Sequence, residues 1–353
     1  MTADLLRVLA EHRLPEVGPD SVLTVAGAQL GGPWLDIDAR MDRLIEAAEL
    51  AAAHGCELLV LPETYLSGYP FWLPRTDGAR FNDPQQKACY AYYLAAAIAI
   101  DGPEVVRLRQ LAGDLNLTLM VGVTERGQRS GRGSTYCSLL TLDPQRGLVG
   151  HHRKLIPTYD ERLVWANGDG AGLVTHQVGG ARVGGLNCWE NWMPQARQAL
   201  YADGEDLHVS VWPGSTTLTA DIPRFAAMEG RVFSLAVSGV LRRDDIPDDF
   251  PLAAELRASS SAIPFNGGSA LAGPDGSWLI PPIADEEGLI VADIDLRLVA
   301  QERLTFDPTG HYSRPDVFHS TVFRGRRDAV TFIAEGEPPT DSTPTAISQP
   351  PAG

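Results

Sequence analysis

Residues 181–200 pass from a strand pattern to a helix pattern around one sharp corner, and the corner carries a cysteine. Ala181-Arg182-Val183-Gly184-Gly185-Leu186 reads as a short strand, and Met193, Ala196 and Leu200 then recur at helical spacing. Between them lies Asn187-Cys188-Trp189-Glu190-Asn191-Trp192-Met193-Pro194. A thiol at such a turn stands clear of the sheet, and the free N–H groups and positive end of the following helix would favour its thiolate. Taken alone, a free cysteine is more often a buried, inert residue. Its company decides the reading.

Two more apolar runs end on a charged side chain. Glu57-Leu58-Leu59-Val60-Leu61 runs into Pro62, which cannot donate to a sheet ladder and so marks a strand end, and Glu63 stands at the exit. Gly147-Leu148-Val149-Gly150-His151-His152-Arg153 leads to Lys154 in the same way. Ligands of open α/β sheets bind outside the carboxyl ends of the strands, so three reactive side chains at three such ends can converge. The chemistry needs all three types. A thiol is mostly protonated at neutral pH and an adjacent base activates it. Glu63 serves as that base if its surroundings raise its pKa toward the working pH. Lys154 offers a fixed positive charge for the negative charge that develops when sulfur adds to a C≡N or C=O carbon.

Pro62-Glu63-Thr64-Tyr65, His152-Arg153-Lys154-Leu155 and Cys188-Trp189-Glu190-Asn191 resemble the Glu–Lys–Cys motifs of the nitrilase (carbon–nitrogen hydrolase) superfamily. Further similar segments are 157–165, Gly168-Asp169-Gly170, His208 to Gly214, Glu229-Gly230-Arg231 and Gly310 to Asp316. The resemblance implies an α/β fold, the four-layer αββα sandwich of the nitrilase type, with neither metal nor organic cofactor. It implies Cys188 as nucleophile, Glu63 as general base and acid, and Lys154 as electrostatic stabiliser. A second carboxylate after the lysine falls on Glu161, which would position Lys154 or assist proton transfer. Trp-Glu-Asn after the cysteine is similar to true nitrilases and cyanide-degrading relatives, whereas amidases carry a different pair there. Asn187 departs from the apolar residue that the pattern implies, which bears on substrate range.

The implied reaction is hydrolysis of a small-molecule nitrile to its acid and ammonia through a cysteine thioimidate. An amidase or carbamoylase, a nitrile- or cyanide-hydrating relative, and a non-catalytic scaffold remain as alternatives. The resemblance also implies a homodimer or larger homo-oligomer. Tyr69, Trp189 and Trp212 are candidate substrate-binding residues, suggesting a pocket for an aryl or arylaliphatic nitrile. Tyr69 lies in the long aromatic segment 64–84, which reads as part of the pocket wall, since a loop of that length is unusual unless functional.

Net charge is −16, from 29 basic and 45 acidic residues, which argues against nucleic acid and anionic membrane surfaces as partners. The four cysteines, Cys56, Cys89, Cys137 and Cys188, have no metal-ligand spacing. With no secretory signal visible, reduced thiols and a cytoplasmic protein are expected. His151 and His152 are adjacent in a strand pattern and so point to opposite faces, which disfavours a shared metal. Asp244, Asp245, Asp248 and Asp249 match no calcium loop and read as a solvated surface.

Strand and helix patterns alternate along the chain, as in an α/β protein. Residues 1–20 read as an N-terminal extension with a short helix over Leu5 to Glu11, residues 21–334 as one catalytic domain, and residues 335–353 as a disordered Pro/Thr/Ser-rich tail. A helix is expected over Gln85 to Ala99. In the second half, strands are expected at Val174 to Val178, Arg182 to Asn187, Leu207 to Trp212, Ser234 to Val240, Gly268 to Ala272 and Leu289 to Asp293.

Overall fold

The computed structural model describes residues 6–15, 21–128 and 131–326. In chain order the elements of the first half are β1 (Val8–His12), β2 (Val22–Gln29), α1 (Ile37–Ala53), β3 (Leu58–Val60), α2 (Pro84–Ala95), α3 (Pro103–Leu115), β4 (Thr118–Arg126), β5 (Thr135–Asp143) and β6 (Gly147–Arg153). Those of the second half are β7 (His176–Val178), β8 (Ala181–Asn187), α4 (Pro194–Ala202), β9 (Leu207–Trp212), α5 (Ile222–Gly230), β10 (Phe233–Ser238), β11 (Val240–Leu241), α6 (Ala253–Ala258), β12 (Phe265–Ala272), β13 (Trp278–Ala284), β14 (Gly288–Asp295) and α7 (Arg297–Glu302).

Two sheets result. One runs β1-β14-β2-β3-β4-β5-β6; the other runs β11-β12-β10-β9-β8-β7, with β13 paired to β12. Period-two alternation sorts each strand's side chains between two apolar layers. On β2, Leu23 and Val25 face the second sheet and meet Val209, Val211, Leu235 and Val237. Ala26 and Ala28 face the other way, onto Met41, Leu44 and Ala48 of α1 and Leu108 of α3. On β8, Val183 faces the first sheet, while Leu186 packs on Ala196 and Leu200 of α4. The order is helices, sheet, sheet, helices: the expected αββα sandwich. Each fully buried Val or Leu contributes about 1.5–3 kcal/mol, so the layer between the sheets is the main clamp. Gly185 lets the sheets approach closely; a Cβ there would lie 2.7 Å from Leu139 and Met120.

Three expectations need correction. The helix over Leu5 to Glu11 is, within the described residues, the strand β1, because the edge of β14 is open to it: Val8 through His12 pair in parallel with Leu289 through Ala292. The helix over Gln85 to Ala99 ends at Ala95. Ile98 is instead tied to β4, its N–H donating to Thr124 and its carbonyl accepting from Arg126. Strand β13, which carries Pro281 and Pro282, has no counterpart among the strands expected from sequence. It is an edge strand, where proline is tolerated. The expected tail at 335–353 lies outside the described residues.

Candidate active site

Strands β3, β4 and β6 run in one direction in the first sheet, as do β8 and β9 in the second. Each candidate residue follows the carboxyl end of one of them. After β3, the Leu61 N–H still bonds the Met120 carbonyl of β4, Pro62 ends the ladder, and the Glu63 N–H reaches across to the Trp212 carbonyl at the end of β9. Thr64 then turns with φ 48°. This corner lies flat on β4 because residue 122 is glycine; a Cβ there would be 2.0 Å from the Pro62 oxygen. After β6, the Lys154 N–H bonds the Cys137 carbonyl, extending the β5–β6 ladder by one step. Glu161 is carried on a short 3-10 turn, Tyr159–Leu163.

Cys188 opens another 3-10 turn, Cys188–Trp192, and is itself left-handed, with φ 49°. A non-glycine residue in this region costs of order 1–3 kcal/mol and persists only where its surroundings over-determine it. Here they do. Asn191 Nδ2 donates to the carbonyls of Cys188 (2.8 Å) and Leu186 (3.3 Å). The Asn191 amide is oriented by His208 Nε2 at 2.8 Å, and His208 Nδ1 by Glu205 at 3.0 Å, all buried. Glu190 clamps both strand ends: its carboxylate accepts from the N–H of Asn187 (3.0 Å), the N–H of Leu155 (2.8 Å) and His152 Nε2 (2.9 Å). One buried carboxylate thus fixes the residue before Cys188 to the residue after Lys154. Burial disfavours its charge, yet His152 and these two N–H groups hold its pKa below the ordinary range.

The side chains converge in a dry cluster. Lys154 Nζ donates to Glu63 Oε1 at 3.0 Å and Glu161 Oε2 at 2.7 Å. Glu63, Glu161 and Cys188 place their reactive atoms within 4.8 Å of one another. Glu161 also accepts from Tyr69 Oη at 2.9 Å and from the Thr158 N–H at 2.6 Å. Burial alone would strip the lysine of its proton, but Glu63, Cys188 and Glu161 outweigh it and hold the ammonium well above its ordinary range. Burial raises the Glu63 carboxyl most, Lys154 pulls it back and Glu161 pushes it up again, leaving it at about 7. For Cys188, burial and the charge of Glu63 drive the thiol well above its ordinary range, against Lys154 and the Trp189 N–H. This corrects the expectation that a helix start favours the thiolate. The helix α4 begins only at Pro194, beyond the 3-10 turn, and the nearest full charges at the sulfur include two carboxylates. Burial and carboxylate charge thus favour the protonated sulfur, and the Glu63 carboxyl lies in the same buried group.

Residues 24–303 match the carbon-nitrogen hydrolase family. The chain belongs to this family. Nitrilase 2 of Arabidopsis thaliana is 34% identical over 331 residues, covering 93% of this chain and 96% of that protein. An aliphatic nitrilase of Sinorhizobium fredii (strain HH103) is 35% identical over 301 residues, covering 84% and 94%. A bifunctional nitrilase/nitrile hydratase of Oryza sativa subsp. japonica is 34% identical over 354 residues, covering 97% and 96%. Among solved structures, a CN-hydrolase superfamily protein of Xanthomonas campestris with an arsenic adduct in its active site shares the fold, with TM-score 0.62, 19% identity and coverage of 86% and 99%. An amidase from Nesterenkonia sp. does so with TM-score 0.58, 20% identity and coverage of 81% and 95%. This carbon-nitrogen hydrolase is accordingly an enzyme acting on carbon–nitrogen bonds.

In this hydrolase the structure brings Glu63, Lys154, Glu161, Cys188 and Tyr69 into contact range of one another. Trp212 is fully buried and packs beside Cys188 with Ile222 and Ala236. Trp189 differs from its neighbour in sequence: the 3-10 turn leaves it 51% exposed and outside that buried group. The aromatic segment 64–84 divides. Tyr69 reaches the site, edge-on to Trp165 and Phe265 at 5.6 Å. Phe71 and Trp72 instead fill the apolar cluster behind it with Trp34, Tyr93 and Phe250, which Trp165 and Cys137 join to the site, and Phe81 is exposed. His151 and His152 do point to different partners, Glu125 and Glu190. No described helix is long and apolar enough to cross a membrane. Sequence reasoning missed Trp165, whose ring lies 5.5 Å from Lys154 Nζ, and Cys137, whose thiol lies 3.3 Å from Glu63 Oε1. Trp165 was accessible as the aromatic after the Glu161 turn. Cys137 carries no signal along the chain, because its contact is made 74 residues away.

Proposed function

We propose that the protein is a nitrilase, converting an organic nitrile and two waters into a carboxylic acid and ammonia with Cys188 as the nucleophile. The observation that carries the reading is the buried group of Glu63, Glu161 and Cys188 gathered around one ammonium. The nitrilase names of relatives at 34–35% identity favour a nitrile over an amide.

The steps follow from the geometry. Among the described residues Glu63 Oε2 receives no hydrogen bond, which makes it the free basic atom. It takes the Cys188 proton as sulfur adds to the nitrile carbon. The nitrogen gains the proton, and Lys154 stabilises its developing negative charge, giving a thioimidate. Glu63 then deprotonates a water that adds to the same carbon. Glu63 returns that proton to the nitrogen, the tetrahedral intermediate collapses to a thioester as ammonia leaves, and a second water, deprotonated by Glu63, releases the acid as the proton goes back to sulfur. Expulsion of sulfur in place of ammonia would yield the amide, the branch named for the rice relative. Glu161, itself held by Tyr69 and Thr158, holds the lysine in place.

The test is to trap the intermediate. Wild-type protein mixed with excess phenylacetonitrile, acid-quenched during turnover and digested for mass spectrometry is expected to carry one adduct, on the peptide containing Cys188. Adduct on Cys56, Cys89 or Cys137 instead, or nitrile consumption with Cys188 unmodified, would overturn the assignment.

A further inference from the structure

Glu63 must do more than be near Cys188. It has to present one oxygen to the sulfur and later to water, without rotating away. Its two oxygens are in unequal surroundings. Oε1 accepts from Lys154 Nζ at 3.0 Å and from the Cys137 thiol at 3.3 Å. Oε2 is also buried and has no hydrogen-bond partner among the described residues. A carboxylate can accept about four hydrogen bonds, so the bare oxygen of a carboxylate grouped with the Cys188 thiol is the one left to act.

We propose that Cys137 is a positioning residue for this reaction: its thiol, together with Lys154, pins Glu63 Oε1 and so dedicates Oε2 to proton transfer. The inference rests on the reading of Glu63 as the base. Strand β5 supplies the geometry, since alternation sends Cys137 into the cluster and its neighbour Ser138 to Glu125 on the other face. Burial, and then the charge of Glu63, push the Cys137 thiol well above its ordinary range, so it remains protonated and can only donate to the carboxylate. A donor to the charged form favours that form.

The groups facing Glu63 come from every side: Lys154 after β6, Glu161 on its 3-10 turn, Cys188 after β8, Tyr69 from the aromatic segment, Tyr93 from α2 and Cys137 from β5. Of these, Lys154 and Cys137 donate to it directly, and Cys137 alone of the two can be changed without removing the site's positive charge. Its carbonyl bond to the Lys154 N–H survives a side-chain substitution.

The experiment compares the pH dependence of kcat/KM for nitrile hydrolysis in wild type, Cys137→Ala, Cys137→Ser and Glu63→Gln. In wild type the base works when deprotonated, so activity rises with pH through about 7. Loss of the thiol donor raises the carboxyl pKa, so in Cys137→Ala that limb moves to higher pH, by roughly half a unit or more. At pH 6.5 kcat falls several-fold while KM stays within about twofold, and Cys137→Ser, which keeps a donor, moves back toward wild type. If Cys137→Ala does not fold, Cys137→Val, similar in size and without a donor, takes its place. A limb that superimposes on wild type in a folded variant lacking the donor overturns the proposal. If Glu63→Gln itself stays active, the reading of Glu63 as base falls first; an inactive Glu63→Gln beside an unshifted Cys137→Ala sinks only the role of Cys137.

Discussion

Cys188→Ala is expected to lose nitrile turnover by a factor on the order of 10⁴ or more while the protein stays folded. The size of the loss follows from covalent catalysis. No neighbouring group can replace the sulfur: Glu63 and Glu161 are carboxylates held by Lys154, and Cys137 is turned onto Glu63. The fold is expected to survive because what shapes the corner is not the thiol. Asn191 holds the residue's carbonyl and Glu190 the preceding N–H, and neither bond uses the side chain. Alanine also meets the same left-handed backbone at φ 49° with no larger side chain to accommodate. Ammonia release together with thermal unfolding checks both halves. A variant retaining a tenth of the activity would show that the nucleophile lies elsewhere, and one that unfolds would show that the sulfur carries part of the packing.

Lys154→Ala is expected to damage both activity and stability, and the two are separable by pH. Two fully buried carboxylates share this one ammonium. Removing one partner of a buried ion pair costs about 3–5 kcal/mol because the remaining charge is left uncompensated. Loss of the electrostatic stabiliser adds a fall in kcat on the order of 10²–10³. Without the ammonium, the Glu63 carboxyl is raised further in the folded state, since the charge that pulled it down is gone. A carboxyl whose folded pKa exceeds its unfolded pKa binds more protons when folded, so its share of stability is present at low pH and lost as pH rises. The stability deficit of the variant should therefore be larger at pH 8 than at pH 6. Urea unfolding at the two values checks this; a deficit that is absent, or equal at both, would mean that the pair contributes little to the fold.

The site was more legible in the sequence than the scaffold's edges were. Glu63, Lys154 and Cys188 could be found because each follows an apolar run, and the topology that aligns β3, β6 and β8 puts their carboxyl ends on one side. What local pattern could not supply were contacts made across the chain. β1 is a strand only because Leu289 through Ala292 offer an edge, and β13 keeps its prolines only because it is an edge itself. Trp189 adjoins the nucleophile in sequence, but a 3-10 turn, not an α-helix, follows Cys188 and leaves the ring in solvent. The same turn removes the helix end from the sulfur, so burial and carboxylate charge set its resting state. Asn187, the departure from the expected apolar residue, lies fully buried at the N-cap of this turn, its backbone N–H held by Glu190.

The account is tested most directly by ammonia release from matched nitriles and amides, aliphatic, benzylic and benzoic, with Cys188→Ala as the blank. Release from nitriles at rates well above those from the corresponding amides, and none from the variant, is the predicted result. Release from amides alone, or from nitriles at the same rate in the variant, would contradict it.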